Sequence, residues 1–385
     1  MQQTGRKKKW WVMFVAAVVI VVAASVVLVV SALPDESRTD ELLARWEAAG
    51  GATTFEAWRP EPVASDDNAA ELYEQAFAAF GQLSPDAEHA LRDKAMDDAT
   101  RRMLDEVDEA IELAFEASWR PVCRLPDSAY QYSIWPDDVH FLRRRQLGLA
   151  TTHRAALAAE QDELSEAVEY LAAARRIVRH FEQEPLMVSV FLSSALDHRI
   201  LETFERIFED RPLPANVDEL LDAGPDDDLA RRMILKEGGG SYLLIRDLYD
   251  DEVPGLLSHI DVQYFLESML RTLDEFERPA RERDWSFLDE DEMPMLANYS
   301  RIVIANYGDG VEVIDRMSLL DRAARVAVEL RQHRDAHGSY PDEDQWTMPT
   351  EPLNDEAIEY ERRGEGFVLH IDTFGDGAPL KWHWQ

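Results

Sequence analysis

A run of 24 residues, Trp10 to Leu33, carries no charge, and Ser25 and Ser31 are its only polar members. As a helix rising 1.5 Å per residue it reaches roughly 36 Å, enough to cross a hydrocarbon core of ~30 Å with some tilt. No other stretch of the chain has that length and apolarity. The expected layout is therefore a transmembrane helix over residues 10–33 with the remainder on one side of the bilayer. Arg6, Lys7, Lys8 and Lys9 precede the run, while Asp35, Glu36, Asp40 and Glu41 follow it. Basic residues close to a span stay cytoplasmic. Residues 1–9 are thus expected to be a cytoplasmic tail, and residues 34–385 to be extracytoplasmic, on an inner-membrane protein facing the periplasm. Trp10 and Trp11 suit the headgroup level at one end of the anchor, and Leu33 closes the other. Val30-Ser31-Ala32 would suit signal-peptide cleavage, but the apolar core exceeds the ~7–15 residues of such a signal, which favours a retained anchor. Ala16, Ala17, Ala23 and Ala24 recur seven apart, a smooth face that a lipid-facing helix also carries without any partner.

Charge narrows the partners. Four of the 40 basic residues precede the span and all 76 acidic ones follow it, which leaves the part beyond it at −40. Nucleic acid and anionic membrane surfaces both need a positive face, so neither is an expected ligand. The membrane enters as a partner only through the anchor. Cys123 is the sole cysteine, so no intrachain disulfide can form, and it reads as a small buried apolar residue.

The fold class expected beyond the anchor is mainly α. Residues 34–310 form a helical domain, and residues 311–385 a small α+β module. A short helix through Leu42, Leu43 and Trp46 ends at Gly50-Gly51. Ser65-Asp66-Asp67 is positioned to cap a helix bearing Ala69, Leu72, Tyr73, Ala76, Phe77 and Phe80 on one side. Ser84 opens a helical run to about Trp119, and prolines 121, 126 and 136 mark a long loop. Two helices, about 138–160 and 163–184, are joined by the polar turn Gln161-Asp162. In the second, Ala167, Leu171, Ala174, Val178 and Phe181 form one buried stripe. Pro185 starts a further helix to about Glu209. Gly238-Gly239-Gly240-Ser241 lacks the following Lys and preceding strand of a phosphate loop, so it reads as a turn between helices. Asp289, Glu290, Asp291 and Glu292 read as a solvated charge run. After residue 311 a helix runs to Asp335, with Gly338 as its left-handed cap. Ile358 to Tyr360 and Phe367 to Ile371 then read as a β-hairpin around Arg363 to Gly366.

Three resemblances follow from these residues. The helix pair over 138–184, with Ala167, Leu171 and Ala174 at small-large-small positions, resembles a single tetratricopeptide-type hairpin, without a second copy at that period. His337-Gly338-Ser339-Tyr340-Pro341, then Pro352-Leu353-Asn354, Tyr360, Gly366-Phe367 and Gly375-Asp376-Gly377, resembles the globular part of the type II secretion major pseudopilin. That resemblance implies a calcium site in the last loop, for which Asp372 and Asp376 are the candidate ligands. Ca²⁺ needs six or more oxygens, which two carboxylates supply only in part. The layout as a whole, with Asn68 to Tyr73 opening the helical part, is similar to membrane-anchored helical proteins of planctomycete-type bacteria.

No arrangement signals catalysis. His333 and His337 have the i, i+4 spacing of a metal pair, but no third ligand is identifiable, and a histidine also suits the negative end of a helix. His180 and His198 read as packing or surface residues, and no Gly-x-Ser-x-Gly elbow is present. Arg143, Arg144 and Arg145 are the candidates for gripping an acidic group, against self-pairing with the chain's own carboxylates. The function expected is non-enzymatic: an anchored scaffold or binding module that holds a protein partner, with no cofactor and with oligomeric state open. Alternatives are an envelope secretion or pilus-assembly component, and a hydrolase with dispersed carboxylates.

Overall fold

A computed structural model describes residues 36–81, 83–92, 95–124, 138–183, 186–226, 228–252, 256–279, 282–288, 304, 307–343, 346, 358–371 and 380–384. The expected anchor, with Trp10, Trp11 and Leu33, lies outside them. So do Asp289 to Glu292, Pro352 to Asn354, and the last loop with Asp372 and Asp376. Among the described residues no helix is long and apolar enough to cross a membrane.

The described chain is mainly helical with a small antiparallel sheet near its end, in agreement with the expected class. In order the helices are α1 (Glu36–Ala48), α2 (Phe55–Trp58), α3 (Ala70–Phe80), α4 (Pro85–Arg92), α5 (Asp98–Glu106), α6 (Asp108–Ser118), α7 (Asp138–Glu160), α8 (Leu164–Glu182), α9 (Met187–Phe208), α10 (Asp218–Asp222), α11 (Leu229–Glu252), α12 (Leu256–Phe276) and α13 (Tyr307–His337). Strands β1 (Ile358–Arg363), β2 (Gly366–Ile371) and β3 (Leu380–Trp384) pair antiparallel in the order β1-β2-β3. Tyr360 stands opposite Leu369, and Leu369 opposite Trp382.

Local sequence accounts for most boundaries. Asp162 turns the chain between α7 and α8 with φ 66°, a left-handed conformation that Asp tolerates better than most residues. The glycines that end α1 and α13, Gly50 and Gly338, take φ 97° and 80°. The run expected from Ser84 to Trp119 is instead three helices, broken near Asp97 and at Val107; Asp97 caps α5 by accepting from Thr100 N–H at 2.8 Å. Ser65 to Asp67 forms a short 3₁₀ turn, and α3 starts only at Ala70. There Asn68 Oδ1 accepts from Ala70 N–H at 3.1 Å and from Arg124 N–H at 2.8 Å, so the cap also ties down the segment after α6.

The largest departure is the glycine triplet. Gly238, Gly239 and Gly240 sit inside α11 rather than in a turn. A Cβ on Gly238 would lie 2.8 Å from Trp46, and one on Gly239 or Gly240 would lie 3.2 Å from Trp58. The glycines lower intrinsic helix propensity. They let two indoles lie against the helix backbone, and Trp58 Nε1 donates to Lys236 O at 2.8 Å. Burial of the indoles offsets the propensity cost.

Two apolar centres result. One joins α3–α10, the middle of α13 and the sheet through Leu104, Ile111, Leu171, Phe204, Ala324, Leu369 and Trp384. The other joins α1, α11, α12 and the start of α13 through Trp46, Met233, Phe265 and Tyr307. Helices α9 and α13 contribute to both, so residue 310, where a domain boundary was expected, falls within a helix whose two halves serve different centres.

Candidate functional site

Helices α8, α9 and α13 bring together a charged cluster in the interior. Arg175 on α8 is fully buried. Its Nε and Nη2 donate to the two oxygens of Asp197 at 2.8 and 3.0 Å, Nη2 also to Asp321 Oδ1 at 2.8 Å, and Nη1 to Leu220 O at 3.0 Å. One side chain thus ties α8 to α9, α13 and α10. Arg179, one turn on, lies 3.0 Å from Asp197 and donates to both oxygens of Glu182 at 2.5 and 2.6 Å. Arg325 pairs with Asp321 at 2.9 Å and reaches Leu221 O. Burial pushes Asp197 up, but the guanidiniums of Arg175 and Arg179 outweigh it and hold this carboxyl below its ordinary range. Burial pushes Glu182 up to about 7, against the opposing pull of Arg179. The three arginines and three acids balance, and their geometry serves to hold helices rather than to present a reactive group.

A second polar centre lies between α3, α7 and α8. Tyr73 OH is 2.7 Å from His180 Nδ1, and His180 Nε2 is 2.8 Å from Arg120 O. A carbonyl only accepts, so Nε2 carries the proton and Tyr73 donates to Nδ1. Burial takes His180 down to about 4, with the Arg144 cation adding to the effect, and burial raises Tyr73 well above its usual range. Both nitrogens of a neutral ring are already bonded, so His180 is not poised as a base. Cys123, buried beside this pair, gives its N–H to Gln183 Oε1 at 2.7 Å, and fills the small apolar role expected of it.

A third lies between α9, α11 and α13. Glu237 accepts from Met187 N–H at 3.1 Å, at an α9 N-terminus that has no side-chain cap of its own. Burial pushes Glu237 up to about 7.

On the surface, α9 and β3 border a groove of about 220 Å³ lined by Arg199, Glu202, Thr203, Glu205, Arg206, Glu209 and His383. Glu205 accepts from His383 N–H at 2.8 Å through Oε1, and its own carbonyl accepts from Trp384 Nε1 at 3.1 Å. Burial first, then Glu209 and Glu202, push Glu205 up to about 7. This mixed lining suits a cationic or zwitterionic group better than an anion.

The expected arginine grip divides. Arg143 donates to Phe77 O at 2.6 Å and is half-buried, as is Arg145. Arg144 is buried at 2 % exposure, with its guanidinium 5.3 Å from the centre of the Phe181 ring. Neither Arg143 nor Arg144 stands out as a free surface cation. His333 and His337 stack at 4.2 Å, and each points Nδ1 at a carbonyl, those of Ser339 and His333, so together they close the end of α13. His198 is exposed. Among the described residues no three His, Cys, Asp or Glu side chains are placed to hold a metal ion.

Arg175, Asp197 and Asp321 were not singled out from the sequence, although a signal existed. Each interrupts an apolar stripe: Arg175 sits between Leu171 and Val178, Asp197 between Leu196 and Ile200, and Asp321 between Leu320 and Ala324. A charge on a buried face must find a partner. The chain matches no family model, no curated protein and no solved structure.

Proposed function

We propose that the chain is a membrane-anchored, extracytoplasmic helical scaffold that holds a protein partner, without catalysis of its own. The observation that carries this reading is the Arg175 cluster: the most elaborate set of ionisable groups among the described residues is spent on joining α8, α9, α10 and α13 into one frame. Such a frame presents surface; exposed Trp119 and Phe191 and the α9–β3 groove are the surface features a partner would meet. The anchor over residues 10–33 and the strongly acidic exterior fit a protein held at a membrane and kept from anionic lipid. Crosslinking of intact cells followed by purification of the full chain from detergent tests the reading. A defined protein should be recovered in stoichiometric amount, and a reporter fused after residue 385 should be active only outside the cytoplasm. A cytosolic reporter, or a chain that crosslinks to nothing, refutes it.

One observation favours a second reading, an envelope secretion or pilus-assembly component. Tyr360 OH donates to Pro341 O at 2.8 Å, and Tyr340 meets Phe367 edge-on at 5.0 Å. Four of the residues that carry the pseudopilin resemblance, Tyr340, Pro341, Tyr360 and Phe367, therefore pack together beyond the end of α13. Recovery of secretion subunits in the same crosslinking experiment would favour this reading over the first.

A further inference from the structure

Among the described residues three arginines are buried almost completely, Arg144, Arg175 and Arg331. Arg331 gives its two terminal nitrogens to the carbonyls of Glu209 and Arg211, and the other two differ in one respect. On Arg175 the edge formed by Nε and Nη2 is filled by both oxygens of the Asp197 carboxylate. On Arg144 the same two atoms, Nε and Nη2, are buried and have no hydrogen-bond partner among the described residues. That edge is the side-on fork of a guanidinium, with parallel N–H bonds whose spacing matches a carboxylate. Three groups lie near it among the described residues: the Phe181 ring, and the Tyr73 hydroxyl and His180 imidazole, both of which feel its charge. None of the three is an anion: Tyr73 keeps its proton and donates it to His180, which is neutral. The ring of Phe181 faces a cation favourably, but it supplies no acceptor for the fork.

An isolated cation out of water is costly, and natural interiors pair it. We propose that the Nε/Nη2 edge of Arg144 is a binding site for the carboxylate of a small organic acid, seated between α3, α7 and α8. The planar fork selects a two-oxygen anion over a spherical one of equal charge, and the Phe181 ring beside it favours an acid whose remainder is small and apolar. Arg143, bonded to the Phe77 carbonyl next door, adds positive potential to the same turn of α7. In a chain of net charge −36 this is a local exception that long-range attraction does not help, so binding rests on the fork itself. The site is independent of the scaffold reading, since a protein partner and a small acid are captured separately.

The test uses the full chain in detergent, in a buffer free of carboxylates, with unfolding followed by tryptophan fluorescence and heat of binding by calorimetry. Sodium acetate is the probe, and sodium chloride at equal ionic strength is the control. Acetate should raise Tm saturably, with half-saturation on the order of 1 mM, as befits a ligand of so few atoms, whereas chloride should not. Arg144→Lys keeps the charge and loses the fork, and should weaken acetate binding about tenfold or more. Arg144→Met should abolish it and, without acetate, should unfold at a Tm equal to or above that of the wild type, because it removes an unpaired charge. Arg363→Met, on the exposed hairpin, should leave acetate binding unchanged. An acetate effect shared by chloride, or retained in Arg144→Met, identifies an adventitious ion only and overturns the proposal. So does the absence of any acetate effect on a folded wild-type chain.

Discussion

Replacing Asp197 by alanine is the most direct challenge to the interior described above. Asp197 is 1 % exposed, is gripped on both oxygens by Arg175 and lies 3.0 Å from Arg179. The substitution leaves the cluster with one uncompensated positive charge in the core, and such a loss costs about 3–5 kcal/mol. In a domain of this size each kcal/mol moves Tm by about 2 °C, so a fall of about 6–10 °C is expected by calorimetry. The companion test removes the charge pair together. In Arg175→Met with Asp197→Leu, Asp321 keeps Arg325 and Arg179 keeps Glu182, so no buried charge is stranded. At least half the lost stability should return. If Asp197→Ala shifts Tm by less than 2 °C, or the double variant is as unstable as the single one, the cluster does not hold the helices together as argued. Since Asp197 is held below its ordinary range, its contribution is present above the unfolded pKa of about 3.8 and fades as pH falls through the lower folded value.

Further expectations concern other parts of the fold. Glu237 is raised from 4.5 to about 7, so the folded form takes up a proton: its contribution is full below pH ~4.5 and is lost as pH rises through ~7. Glu237→Gln should flatten the wild-type decline over that window and gain on the order of 3 kcal/mol relative to wild type at pH 8, measured by urea unfolding at a series of pH values. An unchanged pH slope would assign the decline elsewhere. Gly238→Ala improves helix propensity by ~1 kcal/mol yet drives a methyl to 2.8 Å from Trp46, so a net loss of about 1–3 kcal/mol is expected, with a shift in tryptophan emission; a stabilised variant would contradict the close packing. Cys123, 1 % exposed, should react with a thiol reagent only under denaturing conditions, and rapid labelling of the native chain would place it nearer the surface than described.

What could be read in advance follows from how local the cause is. The α7–α8 hairpin was legible to within a residue or two because its apolar period and its polar turn lie in the same short stretch. The β1–β2 hairpin was legible for the same reason. The glycine triplet was misread as a turn because the residues that make it helical, Trp46 and Trp58, lie some two hundred positions earlier. Strand β3 is absent from the sequence reading although its alternation is plain: Trp382 and Trp384 are buried while Lys381 and His383 are exposed, but a run of only five residues carries a weak strand signal even with the turn signal of Gly375 to Gly377 before it. The arginine run reads in the sequence as a candidate binding face, whereas the fold buries Arg144 and half-buries Arg143 and Arg145. Arg144 lies near Phe181, Tyr73 and His180, which come from two other helices, and no local pattern announces that they meet there.

Strand β3 also sets a schedule. Phe204 on α9 is flanked by Trp382 and Trp384, and the bond from Trp384 to Glu205 spans 179 positions of chain. At ~5–20 residues per second, the ribosome needs about 10–40 s to make that intervening length. Through that interval α9 has its aromatic face open to whatever the compartment offers. Premature stops before Trp382 leave that face without its closing strand and should send the chain to proteolysis rather than to a shorter folded product.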